Sequence, residues 1–302
     1  MRFLIAAVVA LLSAPAADAQ AVLQQYKGSG GASSDDIQKL NGILKGLSVQ
    51  DATKEKLNLE LYLDPRIIGG SPADIKDAPW QVALVFGKYK DPFRAQFCGG
   101  SVISNDWVVT AAHCVVNDSV NRTAANVAIV ANTTFYNTGG DRIDVTEIRV
   151  HEKYDPQSND YDIALLKLAS HPARLTPVGL PNSGDALPAG TNMIVTGWGA
   201  LREGSPGTAY LISANIPVIS NQTCNEAVSY NGAITDNMIC AGLRSGGLDS
   251  CQGDSGGPAV ALSGDAKLLV GIVSFGEGCA RRDKYGVYTN VRIFRPWIDQ
   301  QM

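Results

Sequence analysis

Three short stretches hold the residue types that hydrolytic chemistry needs. "VVTAAHC" ends an apolar run on His113 beside Cys114. "NDYDIALLKL" sets Asp162 immediately before a strongly apolar segment. "DSCQGDSGGP", Asp249 to Pro258, places Ser255 between Asp254 and two glycines. A serine hydroxyl is a weak nucleophile until a base takes its proton, and an imidazole does this best when a carboxylate fixes its tautomer. Cleaving an amide also needs fixed donors where the carbonyl oxygen becomes negative. Glycines let consecutive backbone N–H groups converge on one small volume. Each stretch also has a plainer reading: His113 as a hydrogen-bonded structural residue, Asp162 as a turn or cap acid, the glycines as turn chemistry. An acid buried at a strand edge is costly without donors, so Asp162 requires partners in any case.

The elements around these residues read as β-structure. From Ile67 onward, "PWQVALVF", "NVAIV", "DVTEIRV", "DIALLKL", "TNMIVTGWG", "LLVGIVSF" and "GVYTNV" are short apolar or alternating runs separated by glycine, proline and asparagine. That pattern predicts barrels or sandwiches rather than strands alternating with crossover helices. "GLPNSGDALPAG", residues 179–190, is the best linker between two halves. Val291, Phe294, Trp297 and Ile298 recur at helical spacing and predict a short helix at 291–302. "GKYKDPFRAQ", residues 87–96, is either a substrate-facing loop or a solvated connection.

Upstream, Arg2, the apolar run "FLIAAVVALL" and the Ala17-Asp18-Ala19 end predict a secretory signal over residues 1–19, with export of the remainder. Residues 20–66 form a leader without cysteine. In it Ile37, Leu40, Ile43, Leu44 and Leu47 have helical spacing, and Leu57, Leu59, Leu61 and Leu63 alternate. Six cysteines, at 98, 114, 224, 240, 251 and 279, fit an oxidising compartment. No CxxC occurs and there are only three histidines, which argues against zinc. With 45% apolar and 18% charged residues the chain is globular in composition. A net charge of −4 with no long basic run points away from nucleic acid, and no segment after the signal is apolar enough to predict a membrane helix. Sequons begin at Asn117, Asn121, Asn132 and Asn221, and matter only in a glycosylating secretory pathway.

Taken in order, "RIIGG", "WVVTAAHC", "DIALLKL", "VTGWG", "DSCQGDSGGP", "VSFGEGC" and "GVYTNV" resemble the secreted serine proteases of the chymotrypsin/trypsin family, over residues 67–302. The resemblance implies an all-β fold of two packed six-stranded antiparallel barrels, the first about 67–180 and the second about 181–290, with a C-terminal helix at about 291–302. It implies a catalytic triad of His113, Asp162 and Ser255, and an oxyanion hole from the amides of Gly253 and Ser255. It also implies the disulfides Cys98–Cys114, Cys224–Cys240 and Cys251–Cys279.

Further roles follow from the same resemblance. Asp249 would sit at the base of a specificity pocket and select Arg or Lys, with Gly276 and Gly286 keeping the walls open and Ser250 adding a hydroxyl for lysine. Cleavage between Arg66 and Ile67 would free an amine that pairs with Asp254, by self-activation or by a separate activating protease. The implied partners are protein or peptide substrates and proteinaceous inhibitors. No cofactor is implied, and "NVAIVANTTFYNTGG" lacks the clustered glutamates of calcium-binding trypsins. Phe275 stands where most members have tryptophan, and Tyr285 resembles the tyrosine of members that respond to sodium. A relative that only binds partners would be expected to have lost a triad member. Asp249 opposes a chymotrypsin- or elastase-like preference.

Overall fold

The computed structural model describes residues 69–302 apart from 88, 90–94, 117–122, 136–138 and 171–174. The expected signal (1–19), the leader (20–66) with its helical and alternating runs, Arg66, Ile67, Asn117 and Asn121 lie outside the described residues.

Runs rich in β-branched and other apolar residues form the strands, and turn-forming residues separate them. The first barrel contains β2 (Gln81–Phe86), β3 (Gln96–Val102), β4 (Trp107–Thr110), β5 (Val127–Ala131), β6 (Asp141–Val150) and β7 (Ala164–Leu168). It closes in the order β2-β3-β4-β7-β6-β5. The second contains β8 (Asn192–Gly197), β9 (Ile212–Ile219), β10 (Met238–Ala241), β11 (Pro258–Ser263), β12 (Ala266–Phe275) and β13 (Gly286–Asn290). Its order is β9-β10-β13-β12-β11-β8, and β8 pairs back onto β9 to close it. A two-residue strand, β1 (Ser71–Pro72), adds to β9 through Ser71↔Ser213 and Pro72↔Ile212. These are the two six-stranded antiparallel barrels that the resemblance implies, and they decide between the barrels and sandwiches that the strand pattern leaves open.

Closure removes the unpaired sheet edges, and side chains fill each interior. Strands β4 and β5 are buried along their whole length. In β9 burial falls on alternate residues, one face to the core and one outward. Leu84, Ile129, Ile163, Leu165 and Leu166 are fully buried. Among the described residues two short α-helices complete the fold, α1 (Asn221–Cys224) and α2 (Val291–Gln301). Val291, Phe294, Trp297 and Ile298 form the buried stripe of α2. They belong to the same apolar cluster as Trp107, Val109, Ile163 and Leu165 of the first barrel. Trp297 Nε1 donates to Glu152 at 3.1 Å, and the Arg149 guanidinium donates to the Gln301 carbonyl. The helix that ends the second barrel is thereby docked on the first.

Disulfides join Cys98 to Cys114, Cys224 to Cys240 and Cys251 to Cys279. Between the barrels, Thr196 Oγ1 donates to Gln81 Oε1 at 2.6 Å. Thr235 Oγ1 and Asn237 Nδ2 both donate to Asp160 Oδ1, at 3.1 and 2.8 Å. Among the described residues no helix is long and apolar enough to cross a membrane.

Candidate active site

His113 lies in a single 3-10 turn, Ala112–Cys114, that follows β4. Ala112 and Cys114 are buried on either side of it, and the Cys98–Cys114 bridge ties the turn to β3. The imidazole, 26% exposed, therefore projects from a fixed base. Asp162 is 1% exposed. Tyr161, just before it, holds a left-handed φ of 55°, a conformation a bulky residue keeps only when its surroundings enforce it. Those surroundings are aromatic. Tyr161 packs against His151 and Phe294 with ring centroids 4.9 and 5.8 Å away. Helix α2 thus fixes the peptide that aims Asp162.

The buried carboxylate of Asp162 takes three donors. His113 donates from its backbone N to Oδ1 at 2.9 Å and from Nδ1 to Oδ2 at 2.8 Å. Ser274 Oγ donates to Oδ2 as well. Thr289 Oγ1 donates to the Asp162 carbonyl at 2.6 Å, so the residue is gripped from the second barrel too. Three hydrogen bonds offset the desolvation of the charge. With Nδ1–H given to Asp162, His113 Nε2 is left as the proton acceptor.

Ser255 follows β10 on the loop that leads into β11. Gly99 N, on β3, donates to the Ser255 carbonyl at 2.7 Å, and Cys114 Sγ lies 3.6 Å from the same oxygen. The serine therefore sits against the residue next to His113. Gly256 adopts a φ of 78°, and a Cβ there would lie 2.1 Å from Thr110 Oγ1, so only glycine lets the loop approach β4 this closely. Among the described residues the N–H groups of Gly253 and Ser255 have no acceptor. Two free amides two residues apart can receive a developing oxyanion.

A cavity of ≈ 210 Å³ is lined by Ser255, Asp249, Ser250, Ser274, Phe275 and Gly276 among others. Asp249 is 4% exposed, and its Oδ2 accepts from Ala280 N at 2.9 Å. Its Oδ1 is buried with no hydrogen-bond partner. Burial pushes the carboxyl up to about 7, against the lowering effect of the Ala280 and Ser250 amides. Gly286 is obligatory here, because a Cβ on it would lie 2.4 Å from Asp249 Oδ1. A Cβ on Gly276 would meet nothing closer than 3.5 Å, so what its lack of a side chain preserves is the cavity itself. Ser250 Oγ is 3.4 Å from the Tyr288 hydroxyl. Phe275 packs edge-on against Tyr230 at 5.9 Å, and Tyr230 donates to the Tyr285 carbonyl at 2.6 Å.

Asp254, 1% exposed, accepts from Gly199 N at 2.8 Å and Cys251 N at 3.0 Å. Burial raises its carboxyl to about 6 despite those two amides. The two glycines of "VTGWG" leave room for it: a Cβ on Gly197 or Gly199 would lie 2.0 or 2.5 Å from its carboxylate atoms.

The structure brings His113 and Asp162 into direct contact and sets Ser255, Asp249 and Ser250 around one cavity. Ser274 and Thr289, which hold Asp162 from β12 and β13, stand inside the stretches "VSFGEGC" and "GVYTNV", but nothing local in either stretch marks them as partners of Asp162. Of the described sequons, Asn132 Nδ2 donates to Asp141 at 2.7 Å, and Asn221 Nδ2 donates to the Thr235 carbonyl at 3.0 Å.

The family described as Trypsin matches residues 67–298. Trypsin 5G1 of Aedes aegypti is 37% identical over 238 residues, covering 78% of this chain and 84% of that protein. On its fold and on these matches, the chain belongs to the trypsin family and is a serine-type endopeptidase.

Proposed function

We propose that the protein hydrolyses peptide bonds after arginine or lysine, with Ser255 as nucleophile, His113 as general base and Asp162 as the carboxylate that orients it. Ser255 Oγ attacks the carbonyl carbon as His113 Nε2 takes its proton. The tetrahedral oxyanion is received by the amides of Gly253 and Ser255. Collapse expels the amine, which leaves with the proton held by His113, and an acyl-serine remains. Water, deprotonated by His113, then releases the carboxylic acid and restores Ser255. The observation that carries this reading is a doubly anchored His113 next to a loop whose two relevant amides have no acceptor among the described residues. Ser255→Ala should fold and bind a cationic pocket ligand while losing arginyl-amide hydrolysis by at least about a thousandfold. Near-normal turnover by that variant would refute the assignment.

The half-paired Asp249 supports selection of a cation. A guanidinium or ammonium entering the cavity supplies the partner that Oδ1 lacks. The Ser250 hydroxyl supports acceptance of lysine beside arginine. Activation is read as cleavage between Arg66 and Ile67, by the protein itself or by another protease, with the new Ile67 amine pairing with Asp254. Two facts support it. Asp254 is a buried acid whose hydrogen bonds come only from backbone amides among the described residues. Gly69, two residues after Ile67, packs so tightly on the loop before Asp249 that a Cβ would lie 2.7 Å from the Gly247 carbonyl. In this reading residues 1–19 are removed on secretion, residues 20–66 on activation, and residues 67–302 form the extracellular enzyme, acting on protein or peptide substrates and open to proteinaceous inhibitors.

A further inference from the structure

The oxyanion loop contains three consecutive peptide planes, and each is held differently. In the first, the Gln252 carbonyl accepts from Ala200 N at 2.6 Å. In the third, the Asp254 carbonyl accepts from Gly257 N at 2.8 Å. The N–H of a trans peptide points opposite to its carbonyl, so these two bonds turn the Gly253 and Ser255 N–H groups the other way. The middle peptide joins them. Its N–H, on Asp254, donates to the Cys251 carbonyl at 3.0 Å. Its carbonyl, on Gly253, accepts from the side-chain amide of Gln96 at 2.9 Å. Gln96 comes from the other barrel, 157 residues earlier, at the start of β3.

Gly253 is the weak point of this loop. Its φ of 95° is one that glycine alone adopts freely, and no side chain resists rotation of the planes on either side. If the middle plane turns, the Gly253 and Ser255 amides no longer converge. A tie from outside the loop is the device that prevents this. β3 supplies two, because Gly99 on the same strand holds the Ser255 carbonyl at 2.7 Å. The Gly99 tie is made by backbone. The Gln96 tie depends on a side chain.

We propose that Gln96 is a positioning residue for catalysis: its side-chain N–H fixes the Gly253 carbonyl and so keeps the two oxyanion-binding amides aimed at one point. This rests on the triad and oxyanion roles proposed above, and it assigns Gln96 no contact with substrate. The deficit from its loss should therefore fall on transition-state stabilisation and spare pocket binding.

The test uses the activated full chain, with wild type, Gln96→Ala and the isosteric Gln96→Glu. Three quantities are read: kcat and KM for an arginyl amide, the affinity of a peptidyl-arginine aldehyde whose hemiacetal oxygen enters the oxyanion hole, and the affinity of benzamidine, which fills the cavity alone. Gln96→Ala should lower kcat by about tenfold and weaken the aldehyde in parallel, with KM and benzamidine affinity changed less than about twofold. An ionised carboxylate cannot donate to a carbonyl, so Gln96→Glu should show at least as large a deficit at neutral pH. That deficit, as a ratio to wild type, should shrink as pH falls and the introduced carboxyl regains a proton. Unchanged kcat and aldehyde affinity in both variants would overturn the proposal. So would equal losses of benzamidine and aldehyde affinity, since these mark a general loss of fold. Failure of the underlying reading is distinguishable: the wild type itself would then not depend on Ser255.

Discussion

At the scale of single residues the site sets two buried acids to different tasks by giving them different partners. Asp162 has three donors, which suit it to the proposed task of orienting a base. Asp249 has the Ala280 amide on Oδ2, no partner on Oδ1, and a place in the lining of the cavity beside Ser255. Because burial raises Asp249 to about 7, its carboxylate takes up a proton as pH falls through that value. A cationic ligand needs the carboxylate and must expel that proton. Benzamidine affinity should therefore be flat well above pH 7 and weaken by up to about tenfold per unit below it. Asp249→Asn should bind weakly at every pH, with the slope gone. Inhibition constants measured from pH 5 to 9 check this, and a wild-type affinity independent of pH would contradict it.

At the scale of elements the question is what keeps Asp162 aimed. The left-handed Tyr161 is wedged by His151 from the loop after β6 and by Phe294 from α2. Removing the wedge should cost both stability and chemistry. Phe294→Ala should destabilise by about 3–5 kcal/mol, as expected for a buried phenylalanine. In the fraction that remains folded, kcat should fall more than KM rises. Calorimetry together with active-site-titrated kinetics would show it, and a pure stability loss with unaltered kcat would sever α2 from the site. This coupling marks the limit of what the chain discloses when read linearly. The strands, the terminal helix and the three chemical stretches were legible because each is local: alternation, helical spacing, or a dense motif of glycines and acids. The contacts of Gln96, Ser274, Thr289 and Tyr161 were not. Even where the residue stands inside a telling stretch, its partner lies far away in sequence, 112 residues for Ser274 and 127 for Thr289. Glycines were legible as turn formers. That Gly197, Gly199 and Gly286 make way for specific carboxylates required the packing.

At the scale of the whole molecule, the proposed activation is a change of charge around Asp254. Burial raises its carboxyl to about 6, above the ordinary value of 3.8, so the uncut chain holds the protonated form more comfortably. The stability tied to this group is full below about pH 4 and lost as pH rises through about 6. An ammonium arriving at Ile67 would reverse the preference. Compared in the Ser255→Ala background, where self-cleavage is blocked, the cut chain should gain Tm relative to the uncut one between pH 4 and pH 7. A constant offset would show that the new terminus does not meet Asp254. The most direct test of the account combines nucleophile and pocket: kcat/KM for matched arginyl and phenylalanyl peptide amides, on protein whose N-terminus is sequenced as Ile67. Leaving the Asp249 carboxylate unpaired costs on the order of a few kcal/mol, and about 1.4 kcal/mol is tenfold in rate. The arginyl amide should be preferred by about a hundredfold or more, and Asp249→Ser should erase most of that preference. Equal values for the two amides on the wild-type enzyme would contradict the cation-selecting pocket.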